Sequence, residues 1–341
     1  MDQKALQETK PKIEDYEILV QFFSETESHF IQKQAKNKKT GKLVIIKEYS
    51  KQKTEDPPLA IIKYNSKSTD LGIERVKALA LNEKNILSIT NHPFIIKMLG
   101  TCQDQRNLYL IQENMNYGSL RSLISIKNKL ENNLAVFYAA QVVLALEYLH
   151  TKDILYRGVD AELILIGSDG YIKLDNFSYA KQTKKRTYTF ICNLNYLPPE
   201  VMQTEGHWKP VDFYSLGILI YQMLEGKFPF SEDISQQCFA KVKGEYQFTQ
   251  NFSQEAKSLV SGLLQPNYMN RLGNLKGGFN DIKMHKWFKD INWKELEQKK
   301  LKPIFQPNPN ETIFKIVAEE QPTNIQKQIK NEPNQNYFQG W

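Results

Sequence analysis

Cysteine is scarce: Cys102, Cys192 and Cys238 are the only three in 341 residues, and they lie far apart. Isolated thiols of this kind build neither a disulfide framework nor a zinc site, so a reducing, cytoplasmic compartment is expected. Long apolar runs are missing as well. The best stretch, 216–224, is short and carries Gln222, so no membrane span is expected. The opening Met1-Asp2-Gln3-Lys4 lacks a signal-peptide pattern, and Asp2 stands where a myristoylated glycine would be needed. No glycine occurs between Tyr16 and Gly41, which excludes from that stretch the close backbone approach to a ligand that glycine allows.

What is present reads as a soluble globular chain, 41% apolar and 24% charged. Its length gives room for a two-lobed domain and a tail. The net charge is +7, with basic residues gathered at 33–42, 181–186 and 299–302. These are solvated faces or an attraction to an acidic protein or polymer surface. Nucleic acid is not an expected partner, because no aromatic-interleaved basic platform accompanies the charge. Leu43-Val44-Ile45-Ile46-Lys47 alternates as a strand. Residues 134–150 are apolar almost all round, the pattern of a helix buried in a large core. His92 and His150 read as packed or capping residues, since no second ligand sits at metal spacing.

Several segments together resemble the protein kinases, and among them the cyclic-nucleotide-dependent enzymes of the AGC group. Tyr156-Arg157-Gly158-Val159-Asp160-Ala161-Glu162-Leu163 and Asn176-Phe177-Ser178 resemble the catalytic and metal-binding loops. Lys47 ends a strand like V-A-I-K, and Leu81-Asn82-Glu83-Lys84 is similar to the third helix, with Glu83 as the partner glutamate. Further segments are Phe137-Tyr138-Ala139-Ala140-Gln141, the helix from Pro210 through Asp212, and Asn270-Arg271-Leu272-Gly273. The chain ends Phe338-Gln339-Gly340-Trp341, like that group's tail motif.

The resemblance implies an α+β, bilobal protein-kinase-like fold. A small β-rich N-lobe with helix C would precede a larger α-helical C-lobe and an AGC-type C-terminal tail. The implied boundaries are an extension over 1–15, the N-lobe over 16–116 with an insertion at about 54–70 around Pro57-Pro58, the C-lobe over 117–288 and the tail over 289–341. It implies a structural spine of Leu87, Met98, Tyr156 and Phe177 resting on Asp212, and an ion pair between Glu200 and Arg271. A phosphosite at Thr189 would be held by Arg157 and Lys181. A vestigial ATP site would comprise Lys47, Glu83, Ile45, Gln112, Glu113, Met115 and Leu165.

The chemistry of the pattern is eroded. Gly158 replaces the catalytic aspartate, Leu163 the metal-binding asparagine and Asn176 the metal-binding aspartate. Glu25 and Glu27 stand where glycines would cradle triphosphate, and would repel it. Asn193 replaces a threonine, and of three substrate-reading acidic positions, now Ser119, Glu162 and Gln222, one remains acidic. Losing a general base costs ~10²–10⁴ in rate. The expectation is therefore a catalytically inactive scaffold or assembly component, not an enzyme, with no intact catalytic residue, no metal site, and ATP and magnesium binding weak or absent. Its partners would be proteins, with acidic surfaces or a cytoskeletal or ciliary assembly as candidates. The alternatives are a divergent ATP-dependent serine/threonine kinase rescued by Asp160 or Asp175, or an ATP-binding allosteric partner of an active kinase.

Overall fold

The computed structural model describes residues 11–22, 30–51, 70–115, 117–189 and 193–308. The loop at 23–29 with Glu25 and Glu27, the insertion around Pro57-Pro58, and Phe338 and Trp341 lie outside the described residues. The chain divides into two units. Among the described residues, the first runs to Ser88 and resumes for Lys97–Asn114; the second takes Ile89–Ile96 and the chain from Met115 to Asn308. A β-sheet unit followed by a helical one is the α+β architecture that the sequence implies.

The first unit is an antiparallel sheet in the order β1-β2-β3-β5-β4, formed by β1 (Tyr16–Phe22), β2 (Ile31–Asn37), β3 (Leu43–Ser50), β4 (Met98–Gln103) and β5 (Asn107–Glu113), with α1 (Asp70–Ser88). Between β2 and β3 the chain reverses at Asn37, whose Oδ1 accepts from Lys39 N and Thr40 N at 3.0 and 2.9 Å. Gly41 completes that turn with φ +69°, a conformation that costs glycine no Cβ clash. Ile45 and Ile46 are buried, and Ile45 stands opposite Gln112 in the β3–β5 register, two residues before Lys47 stands opposite Leu110. Register thus fixes where Lys47 emerges from the sheet.

The second unit is built on two apolar helices, Asn132–Thr151 and Pro210–Glu225. After β6 (Gly118–Ser119) come α2 (Leu120–Lys127) and α3 (Asn132–Thr151). By length and composition α3 is apolar enough to cross a membrane, but 78% of its apolar window is buried inside this unit. Gln141 ties it to the loops that follow: its Nε2 donates to Phe137 O and its Oε1 accepts from Ile172 N, at 3.0 and 2.9 Å. Short strands β7 (Ile154–Leu155), β8 (Ile164–Ile166), β9 (Ile172–Leu174) and β10 (Lys181–Gln182) bracket two loops, 156–163 and 175–180. Behind them lie α4 (Pro199–Met202), α5 (Pro210–Glu225), α6 (Ile234–Lys243) and α7 (Gln254–Leu263). Gly226 ends α5 at φ +82°, and a Cβ there would meet Asn128 O at 1.8 Å, so only glycine fits.

Two hydroxyls buried in this unit, Tyr138 Oη and Tyr214 Oη, have no hydrogen-bond partner among the described residues. Leaving such a group unsatisfied costs about 1–3 kcal/mol. Tyr138→Phe removes that cost while keeping the ring, so it is expected to leave the urea midpoint unchanged or to raise it. A clear drop in the midpoint would show that the hydroxyl is satisfied.

Two buried histidines give the fold a defined acid limit. Burial, then the nearby Lys173 cation, lowers the His92 pKa to about 4. Burial, then Arg157, does the same to His207, also to about 4. In the unfolded chain both take up a proton near pH 6.5. Stability is therefore full above pH 6.5 and falls as pH drops towards 4, by roughly 3 kcal/mol per histidine. Melting temperature followed from pH 7.5 to 4 should decline over that window, and His92→Gln should flatten part of the decline.

Candidate active site

The first unit places Lys47 and Glu83 together in full burial. Lys47 Nζ lies 2.8 Å from Glu83 Oε1, and both side chains are 0% exposed. Tyr49 Oη donates to the other carboxylate oxygen, Oε2, at 2.6 Å. The Phe30 ring sits 4.8 Å from Nζ, a cation–π contact favoured where water is excluded. Ile45 and Gln112 are buried beside this pair on the sheet, and Glu113 Oε1 accepts from Lys97 N at 2.7 Å. Leu87 is buried on α1, while Met98 is only partly so.

The second unit holds the rest, organised by Asp212 at the start of α5. Its carboxylate is fully buried and accepts from Tyr156 N at 3.0 Å, Arg157 N at 2.8 Å and His150 Nε2 at 2.7 Å. An ionised carboxylate only accepts, so His150 donates. These bonds hold Arg157 at φ +59°, a left-handed conformation costing a non-glycine residue about 1–3 kcal/mol. Tyr156 Oη then donates to Asp175 O at 2.6 Å, and its ring meets that of Phe177 at 4.9 Å between centroids. The next residue, Asn176, is also left-handed, φ +53°, and its Oδ1 accepts from Ser178 N. Asparagine tolerates that conformation better than most side chains. A Cβ on Gly158 would meet the Tyr156 ring at 3.1 Å, so a side chain there requires that ring to give by a few tenths of an ångström.

Asp160 and Asn193 meet across 33 residues. Asn193 Nδ2 donates to Asp160 Oδ2 at 3.0 Å, and Glu162 N donates to Oδ1 at 2.9 Å. Burial pushes the Asp160 carboxyl above its ordinary range, although these donors and the Arg121 cation pull it down. Tyr196 fixes the loop between them: it accepts from Ala161 N at 3.0 Å, and its own hydroxyl donates to the buried Gln222 Oε1. Lys241, fully buried on α6, donates to the carbonyls of Leu194, Asn195 and Leu197 at 2.6, 3.1 and 2.9 Å. Asn193 is thus set by α5 and α6 together.

Other candidates fall into place unit by unit. Met115 and Leu165 are buried in the second unit, where a Cβ on Gly167 would lie 3.3 Å from Met115 Cε. Ser119 Oγ donates to Glu162 Oε2 at 3.5 Å. Glu200 and Arg271 face one another with two bonds, at 2.7 and 2.9 Å. Lys181 Nζ donates to Thr187 Oγ1, not Thr189, at 2.7 Å, because Thr187 is the threonine turned inward. Leu163 offers no ligand atom, and among the described residues no group of three or more His, Cys, Asp or Glu could hold a metal ion. In the second unit the 175–180 loop opens on Asp175, 5% exposed, and Asn176, whose Oδ1 already accepts from Ser178 N; a single carboxylate is what magnesium takes beside phosphates and water. In the first unit Lys47 is the kind of cation that pairs with phosphates.

Sequence reasoning took Asp160 as a possible rescue and Asn193 as a departure without joining the two, and overlooked Tyr49, Lys241 and His207. A carboxylate and a carboxamide replacing two side chains of the same loop pair was the available signal. For Lys241 there was none, since a lysine on an amphipathic helix reads as solvent-facing.

The protein kinase domain profile matches residues 32–288. The cAMP-dependent protein kinase catalytic subunit PRKX of Homo sapiens is 39% identical over 227 residues, 66% of this chain and 63% of that one. The cAMP-dependent protein kinase catalytic subunit of Dictyostelium discoideum is 37% identical over 296 residues, covering 85% of this chain and 45% of its own. Catalytic subunit 3 of Drosophila melanogaster is 39% identical over 237 residues, 69% and 40% of the two chains. The chain spans less than two thirds of the length of these relatives.

These comparisons overturn three expectations. Relatives at this identity are named catalytic subunits, which contradicts the inactive scaffold and the statement that the chain is not an enzyme. They equally contradict weak or absent binding of ATP and magnesium, since kinases use both. The physical reason is that the eroded positions were scored one at a time. Lys47–Glu83 remains closed, and a carboxylate in the same loop as Gly158 is held by a matched amide. From profile and relatives alike, the chain belongs to the protein kinase domain family.

Proposed function

We propose that the chain is a divergent ATP-dependent serine/threonine protein kinase. The observation that carries the reading is the buried 2.8 Å pair of Lys47 and Glu83, the ion pair that must be formed for phosphoryl transfer in this family. ATP with magnesium supplies the phosphoryl group and offsets its charge when bound. Lys47 would hold phosphate oxygens, and Glu83, braced by Tyr49, holds Lys47. Asp175 and Asn176 are the residues that would supply oxygens to the metal. Asp160 takes the proton of the acceptor hydroxyl, a role suited to a carboxylate whose pKa is raised towards the working pH.

The test is transfer of labelled γ-phosphate from ATP with magnesium to a mixed protein substrate, alongside melting with and without nucleotide. Transfer that disappears in Lys47→Met is the expected outcome. Absence of both transfer and any nucleotide-dependent melting shift would sink the reading.

A further inference from the structure

The face around Asp160 carries a charge that the chemistry above leaves unused. Arg121, in the first turn of α2, is exposed, and its backbone N donates to Ala161 O at 2.9 Å. That bond ties α2 to the residue next to Asp160. The Arg121 guanidinium carbon lies 6.0 Å from the Phe228 ring, which meets the Tyr196 ring edge-on at 5.4 Å between centroids. Tyr196 in turn accepts from Ala161 N. Arg121 and Asp160 thus share one short surface, and the cation is close enough to act on that carboxyl. Among the described residues the guanidinium has neither an ion-pair partner nor a hydrogen-bond acceptor. The neighbouring polar groups are committed. Glu162 accepts from Ser119 Oγ at 3.5 Å, and Gln222 is 2% exposed and taken by Tyr196. Glu225 accepts from Thr249 Oγ1 at 2.6 Å and Asn251 Nδ2 at 2.9 Å. Lys227, exposed and next to Phe228 in the chain, adds a second positive charge.

We propose that Arg121 selects the acceptor, by taking a carboxylate of an acidic protein segment whose hydroxyl residue is presented to Asp160. The inference rests on the reading of Asp160 as the group that meets the acceptor hydroxyl, and it names the substrate class of that same site. A guanidinium offers a planar fork of N–H donors that matches the two oxygens of a carboxylate. The Phe228 ring beside it restricts where the fork can lie, which lowers the cost of ordering it on binding. A basic segment meets the opposite situation. Arg121 and Lys227 repel it, and of the three substrate-reading positions Ser119 and Gln222 give it no carboxylate. Glu162 alone remains for it, already bonded to Ser119. Discrimination therefore comes from an attraction for one class of segment and a repulsion of the other.

Binding and transfer are measured apart, so that each can fail alone. Two fluorescein-labelled peptides share a central serine, flanked by glutamates in one and by arginines in the other. Their binding to the full chain is followed by fluorescence anisotropy without nucleotide. The glutamate peptide should bind about fivefold tighter, the upper range for one exposed ion pair, and this advantage should shrink as salt is raised. Arg121→Gln should bring the two peptides to similar affinity, and Arg121→Glu should reverse their order. Arg121 is exposed, so neither substitution touches the core. Equal affinities in the native chain, tighter binding of the arginine peptide, or no binding of either overturns the proposal. An acidic preference that survives Arg121→Glu overturns it as well, since the selecting group then lies elsewhere. Transfer of γ-phosphate is read separately on the same peptides. Its absence from both, with the Arg121-dependent preference intact, counts against the kinase reading alone.

Discussion

Asp160→Asn is expected to lower kcat by ~10²–10⁴, the range for loss of a general base, with little change in KM for ATP. The substitution keeps shape, so the loop around it survives. Glu162 N can still donate to the side-chain oxygen, and only the pairing with Asn193 Nδ2 must rearrange. What disappears is a basic oxygen. Because burial raises the pKa of Asp160, the acid limb of the wild-type pH–rate profile should lie above the range of an ordinary aspartate, and Asp160→Asn should remove that limb. Asn193→Ala, which deletes the amide that stabilises the ionised form, should shift the limb further towards neutral pH without erasing activity. A variant at Asp160 with wild-type kcat would show that the proton leaves by another route, with Asp175→Asn the next to examine. Gly158→Asp requires the Tyr156 ring, held by Asp175 O and Phe177, to give by a few tenths of an ångström.

How much of this was legible in the sequence depends on the range of the contact. Strand alternation around Lys47 and the apolar run through α3 carry their structure locally, and the α+β fold and the family follow from them and from the motif order. Glu83 could be named because its helix is similar to a known one, yet Tyr49 Oη on its second oxygen could not. The pairing of Asp160 with Asn193 is a contact between loops 33 residues apart. Asp160 alone looks like an isolated carboxylate and Asn193 alone like a departure, and only the fold joins them. Reading them singly turned a rearranged site into an erased one. His207 escaped for the same reason, its partner Arg157 being 50 residues upstream.

Arg271→Ala is expected to destabilise the second unit by about 3–5 kcal/mol, the cost of stranding one charge of a buried pair. The guanidinium is 0% exposed and Glu200 4% by side chain. Five donors are fully engaged: two on Glu200, and the rest on the carbonyls of Pro210, Gln265 and Pro266. Removing the side chain leaves the Glu200 carboxylate and three carbonyls without their donor and opens a cavity against the Tyr214 ring, which lies 5.0 Å from the guanidinium carbon. Arg271→Lys should cost nearly as much, because an ammonium cannot bond both carboxylate oxygens while reaching those carbonyls. Glu200→Gln in the Arg271→Ala background should recover part of the loss, since the stranded charge is then gone. Urea unfolding with a probe confined to the second unit, such as Trp287, separates this transition from that of the sheet unit. A loss below about 1 kcal/mol for Arg271→Ala, the level of an exposed pair, would mean that Glu200 is reached by water and that the α4–α5 corner is held by packing instead.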